Sequence, residues 1–316
     1  MGDAALLLPV LKEVSFHLKG PVLDVLCEPR NNQVFQDIPY ISRTHSYRNP
    51  ADLGKLVRSR YDLIVDTEQS HMLSAILAAM IPAGVRIGFR VNGRQRFYDH
   101  TVQYRHDLYE LEMFRQLFQL AVDLPDTFEW NPPYLGSEHA VCVEDEMPKD
   151  FICCFPGASI DQRLWPEQRW ARVIDSLADY GYPSVLIGGK AEREMCLRIV
   201  NYCKKTLPLN LCDTLNIPET ASLLQRAKIL ISTDSGILHV GVLCQLPSVS
   251  LFGPGISEKW GPRGARDRVL NKDFFCSPCT KFGHTPQCYR QKGCITAISP
   301  DDVVDAVLDI EKGAKV

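Results

Sequence analysis

No stretch of this 316-residue chain is long and apolar enough to cross a bilayer. The longest apolar segment, "MLSAILAAMIPAGV" from Met72 to Val85, is interrupted by Pro82 and Gly84, whereas a spanning helix takes about 20 residues. A basic n-region followed by an apolar h-region is lacking at the start, so no signal peptide is read. The chain is expected in the cytoplasm, with any membrane contact peripheral. Excess basic charge is also missing: 35 Lys and Arg against 38 Asp and Glu leave a formal charge of -3, which argues against a general nucleic-acid binder. No G-x-G-x-x-G follows an expected strand, and this removes a nicotinamide-dependent oxidoreductase. Internal repeats and low-complexity tracts are absent.

What is present is an alternation of short β-branched runs with helix-period segments, in a chain long enough for two domains. In the first half, "PVLDVLCEP", "YDLIVDTE" and "VRIGF" read as strands, with helices near 50 to 60, 70 to 81 and 107 to 122. A Pro-containing connection, "LPDTFEWNPPYLG", and an acidic patch, "EDEMPKD", lead into a second run of the same kind. There "FICCFPGAS", "PSVLIGG", "LNLC", "KILISTDS" and "PSVSLFG" are strands, and helices lie near 166 to 180, 190 to 204, 218 to 227 and 236 to 244. The pattern predicts an α/β protein of two Rossmann-like, doubly wound domains facing a central cleft, over residues 1–140 and 148–298. A last helix over 299–316 opens at "SPDD" with an N-cap, a proline at its first position and acidic residues in its first turn.

In such sheets ligands bind beyond the carboxyl ends of the strands, where loops enter helix N-termini. The "TDSG" segment stands at one such end, with Asp234, Ser235 and Gly236 at the first turn and His239 one turn on. Free N-H groups and the helix dipole suit a diphosphate there; a plain N-cap at Asp234 or Ser235 is the competing reading. A second loop, "FPGASIDQRLWP", supplies Ser159 as a hydroxyl and Arg163 as a permanent cation. A third, "GGKAERE", places Glu192 where it can accept hydrogen bonds from a ribose.

Taken together, "TDSGILHVGVLCQLPSVSLFGP" followed by "WGP", "PGASIDQRLWP" and the opening "GDAALLLPVL" resemble glycosyltransferase family 9, the ADP-heptose:lipopolysaccharide heptosyltransferases of GT-B fold. The resemblance spans nearly the whole chain. It implies inverting transfer of a heptose from a nucleotide diphosphate, ADP-linked, to a hydroxyl of a cell-surface glycan such as the lipopolysaccharide inner core, at the cytoplasmic side of the inner membrane. It also implies roles: Asp3 as general base, Ser159 and Arg163 as phosphate contacts with Arg163 assisting the leaving group, Glu192 as a ribose contact, Leu215 as an adenine contact, and Asp234, Ser235, Gly236 and His239 as the diphosphate-binding turn. No D-x-D occurs in the chain, so no cofactor or divalent metal is indicated for transfer.

The resemblance also implies a strand before the G-D motif, but Met1 directly precedes Gly2 here. That keeps open a nucleotide-sugar-binding GT-B protein without catalysis; separately, since donor and acceptor rest on the resemblance alone, a transferase of the same family with another sugar or a protein acceptor stays open. For the acceptor, "RIGFRVNGRQRFYDHTVQYRH" offers Arg90, Arg94 and Arg96 to an acidic glycan or glycolipid, against the reading of a solvated basic loop. Finally, Cys276, Cys279, Cys288 and Cys294 fall within 19 residues in "CSPCTKFGHTPQCYRQKGC". That spacing fits a structural zinc or iron site, or four reduced thiols on an ordered loop.

Overall fold

The computed structural model of the protein describes residues 1–128, 147–281 and 284–313. The chain divides into two compact units, the first ending at Tyr134 and the second beginning at Leu135. Most of the expected connection and acidic patch, residues 129–146, lies outside the described residues.

The first unit runs α1 (Gly2–His17), β1 (Asp24–Cys27), α2 (Asn32–Phe35), β2 (Arg43–Ser46), α3 (Pro50–Leu56), β3 (Tyr61–Asp66), α4 (Met72–Met80), β4 (Ala83–Arg90), β5 (His100–Gln103) and α5 (Glu110–Gln119). Helix α1 is buried at every position from Ala4 to Leu11, as its uninterrupted apolar run requires. Farther along, the Glu13 carboxylate takes the Arg115 guanidinium at 2.9 Å and so ties α1 to α5. Every strand pairing is parallel, but the strands form two sheets, β1-β2 and β3-β4-β5, in place of one doubly wound sheet. Among the described residues no strand supplies backbone between β1 and β3, and a side-chain hydrogen bond from Tyr61 to Asp24, 2.8 Å long, joins their starts.

The second unit runs β6 (Ile152–Phe155), α6 (Glu167–Asp179), β7 (Ser184–Leu186), α7 (Arg193–Tyr202), β8 (Leu209–Asn210), α8 (Ile217–Arg226), β9 (Ile229–Thr233), α9 (Gly236–Leu243), β10 (Ser248–Phe252), α10 (Ser257–Trp260), β11 (Arg268–Asn271), α11 (Gly293–Thr296) and α12 (Pro300–Gly313). Its six-stranded sheet has the order β11-β10-β9-β6-β7-β8 and is parallel throughout. The chain moves outward from β6 to β8, returns to β9 on the other side of β6, and moves outward again. The reversal between β6 and β9 is the topological switch point, where the loops after the two strands diverge and leave a crevice. Strands β6, β7, β9 and β10 are buried at every residue, which is what a parallel sheet packed on both faces demands.

Side chains of α6, α7 and α12 fill one core with these strands, among them Trp170, Ile199, Val303, Val307 and Ile310. The C-terminal helix, which the sequence reading expects to pack toward the N-terminal domain, contributes to the second unit's own core. Its apolar face is committed to the C-terminal core, and the segment leading into it is held there by hydrogen bonds from Trp165 Nε1 to the Ile298 carbonyl, 3.1 Å, and from Arg169 to the carbonyls of Thr296 and Ile298, 2.5 and 2.6 Å.

Candidate functional site

Three loops leave the carboxyl ends of the adjacent strands β9, β6 and β7, and the structure joins them to one another. After β9, the Thr233 hydroxyl donates to the carbonyl of Gly157, in the loop after β6. From the loop after β7, Glu192 lies so close to Gly157 and Gly188 that a Cβ on either glycine would collide with its side chain. Both glycines are needed for that close approach. Glu192 is fixed in turn by the Gly189 N-H, which donates to Oε2 at 2.9 Å.

Across the switch point, Arg163 reaches from the loop after β6 to Asp234 after β9. The guanidinium Nε lies 3.2 Å from Asp234 Oδ2, and a guanidinium N-H donates to the Asp234 carbonyl at 3.4 Å. Asp234 is buried and the Arg163 side chain nearly so. Of the two residues offered as a cap in the TDSG turn, one takes that place. Ser235 does cap α9, its hydroxyl accepting from the Leu238 N-H at 3.4 Å and lying 3.0 Å from the Ser232 hydroxyl. Asp234 does not cap it; its carboxylate faces Arg163.

His239 is buried one turn into α9, and its Nδ1 has no hydrogen-bond partner. Burial lowers its pKa from 6.5 to about 3, so the ring is neutral near pH 7. Ser159 is exposed and Leu215 half-buried. Near Glu192, a disulfide joins Cys196 of α7 to Cys212, whose sulfur would sit 3.2 Å from a Cβ at Gly188. Lys259 has no assigned role in the sequence reading, yet it is fully buried in the "KWGP" segment after β10, its ammonium 5.8 Å from the Trp260 ring centroid. The signal that could have found it is a lysine directly beside an aromatic and a proline in a strand-end loop.

In the first unit, Asp3 is exposed in the first turn of α1. Arg94 is a correction. It is fully buried, donating to Asp66 Oδ2 at 2.8 Å, to the Tyr98 hydroxyl at 2.9 Å and to the Ser74 hydroxyl at 3.0 Å. Its charge neutralises a buried carboxylate and is not presented to an acceptor. Arg90 and Arg96 are exposed, as an acceptor contact needs. Glu110, which the sequence reading passes over, is fully buried at the start of α5 and accepts from Tyr104 at 2.9 Å and Gln69 at 2.6 Å.

The four clustered cysteines line one cavity of about 330 Å³. Cys276 is exposed, Cys279 and Cys288 half-buried and Cys294 buried. Among the described residues no group of three or more His, Cys, Asp or Glu is placed to hold a metal ion. The four thiols nevertheless lie within electrostatic reach of one another: besides burial, Cys276 and Cys288 raise the Cys279 pKa, and Cys279, Cys276 and Cys288 raise that of Cys294.

A strand-end crevice at the switch point of a parallel sheet is common to many nucleotide-binding folds, and relatives decide between them. The model of glycosyltransferase family 9 (heptosyltransferase) matches residues 51–290, well over half of the chain. The chain belongs to glycosyltransferase family 9. Among curated proteins it is 26% identical over 226 residues to lipopolysaccharide heptosyltransferase 1 of Pseudomonas aeruginosa, a match covering 70% of this chain and 62% of that protein. Among solved structures, the family 9 glycosyl transferase from Veillonella parvula superposes with a TM-score of 0.82 at 20% identity, over 99% of this chain and 95% of that one. E. coli heptosyltransferase WaaC with ADP gives 0.77 at 19% identity, over 98% and 97%. The fold is therefore GT-B.

Proposed function

We propose that this family 9 member transfers a heptose, with inversion, from an ADP-linked donor to a hydroxyl of a lipopolysaccharide inner-core glycan. The observation that carries the reading is the Arg163–Asp234 pair at the switch point, stitched by Thr233, Gly157 and Glu192 into one strand-end cradle. The names of the relatives above support donor and acceptor, since one is a lipopolysaccharide heptosyltransferase and another was solved with ADP.

In this reading the diphosphate lies at the N-terminus of α9, where the free N-H groups and the helix dipole favour negative charge. Arg163 exchanges part of its contact with Asp234 for a phosphate oxygen and meets the charge that grows on the departing diphosphate. His239, neutral, serves as a hydrogen-bonding group without titrating. Ser159 adds a hydroxyl to the phosphates, Glu192 binds ribose and Leu215 lies against adenine. Asp3 takes the proton from the acceptor hydroxyl as its oxygen bonds to the anomeric carbon, and the bond from that carbon to the phosphate oxygen breaks with its electron pair leaving on ADP. Arg90 and Arg96 remain as contacts for the acidic acceptor. No cofactor takes part in any of these steps. The protein acts at the cytoplasmic face of the inner membrane, and among the described residues no helix is long and apolar enough to cross it.

Calorimetric titration with ADP tests the donor half. Gly236→Val puts a branched side chain at the first residue of α9 and should weaken binding at least tenfold. Undiminished affinity would remove the diphosphate from this helix.

A further inference from the structure

Helix α4 lies on the surface with an outward face that carries no charge. No Asp, Glu, Lys or Arg occurs from Met72 to Met80. Ala75 and Ala78 are buried, and the polar residue Ser74 is engaged by Arg94. Leu73, Ile76 and Met80 are exposed by 52, 41 and 60%. Their spacing of three and then four residues places them on one stripe. A solvated helix normally presents charged or polar residues on that stripe.

The neighbourhood of the stripe is basic. The short helical turn Arg94–Phe97 packs directly on α4. Its Arg96 is exposed, with the guanidinium 5.1 Å from the Phe97 ring centroid. Arg90, at the end of β4, is exposed as well. Of the acids in the same region, Asp66 is neutralised by Arg94, while Asp99 and Glu68 accept only from backbone N-H groups and keep their charge, so Arg86, Arg90 and Arg96 exceed them by one.

We propose that this face of the first unit docks on an anionic lipid bilayer, with Leu73, Ile76 and Met80 entering the boundary between headgroups and acyl chains and Arg96 and Arg90 lying against lipid phosphates. An apolar stripe with a cationic rim is the pattern of interfacial helices, and each basic side chain near an anionic surface adds attraction. A second copy of the chain is disfavoured as occupant on two grounds. A two-fold contact would set the cationic rims against each other. Three half-exposed side chains also fall well short of the roughly 800 Å² per partner that a stable interface buries. The inference deepens the glycolipid-acceptor reading and rests on it for its biological sense, but its readout involves neither donor nor acceptor.

The test is co-sedimentation of the full chain with vesicles of phosphatidylcholine alone or mixed with phosphatidylglycerol, with ADP affinity measured on the same samples. Expected is partition onto the anionic vesicles that falls with added salt, drops at least tenfold in Ile76→Glu, and drops about fivefold in Arg96→Gln, while ADP affinity is unchanged. Equal partition by the native chain and Ile76→Glu, or no partition onto anionic vesicles, would overturn the proposal. So would a dimer in sedimentation velocity that Ile76→Glu abolishes without any vesicle binding. Loss of ADP binding in the native chain would sink the transferase reading alone and leave the vesicle result standing.

Discussion

Arg163 and Asp234 meet at 3.2 Å across the point where the C-terminal sheet reverses its direction of strand addition. Each side chain comes from a different strand-end loop, 71 residues apart. Because Asp234 is buried, the pair holds Arg163 in place, and in the proposed transfer the cation would meet the leaving group without first being ordered.

That arrangement predicts a split between turnover and affinity. In Arg163→Met, turnover should fall about 10²- to 10³-fold, while ADP affinity falls by less than about tenfold, since charge develops on the diphosphate in the transition state. Steady-state kinetics beside calorimetry measures both. Losses of equal size would mean that Arg163 contributes ground-state binding alone.

His239 gives a prediction in pH. Its folded-state pKa, lowered to about 3 from 6.5, means that the unfolded chain binds the proton first as pH falls. The stability contributed by this ring is complete above about pH 6.5 and is lost progressively toward pH 3. Between pH 7.5 and 4.5 that loss is about 3 kcal/mol. His239→Gln should flatten this part of the profile in denaturant unfolding. An unchanged slope would show that the ring protonates freely in the folded protein.

The buried Arg94 makes a structural prediction. Arg94→Met leaves Asp66 as an uncompensated buried charge and should destabilise the first unit by about 3 to 5 kcal/mol. Arg96→Gln and Arg90→Gln, at exposed positions, should change stability by less than about 0.5 kcal/mol. Thermal unfolding of the three variants checks the order. Similar melting temperatures for all three would return Arg94 to the list of acceptor contacts.

These outcomes mark how far the sequence could be read. Strands β9 and β10, "ILIST" and "SVSLF", were legible because they lie inside a parallel sheet and are apolar on both faces. Strands β2, β5 and β11, "RTHS", "HTVQ" and "RVLN", were not expected, and each stands at the edge of its sheet. Edge strands tolerate polar residues, so their hydrophobic pattern fades. The TDSG turn was legible because the switch in apolar period, the small residue and the cap coincide at four positions. Arg94 was misread because its partner Asp66 lies 28 residues away, and a basic run gives no sign of which cation turns inward. The cysteine spacing was legible too, and the four residues line one cavity, with Cys276 exposed and Cys294 buried.

The central claim is that the chain uses its C-terminal cradle to expel ADP while Asp3 deprotonates an acceptor. The most direct measurement is ADP release from ADP-heptose, with and without a lipopolysaccharide inner-core acceptor, by the native chain and by Asp3→Asn. Predicted is acceptor-dependent release by the native chain, about 10²- to 10⁴-fold slower in the variant, with the dissociation constant for ADP unchanged between them. Release at native rates in Asp3→Asn would move the base elsewhere, and no acceptor-dependent release by the native chain, despite tight ADP binding, would contradict the account in favour of a nucleotide-sugar-binding protein.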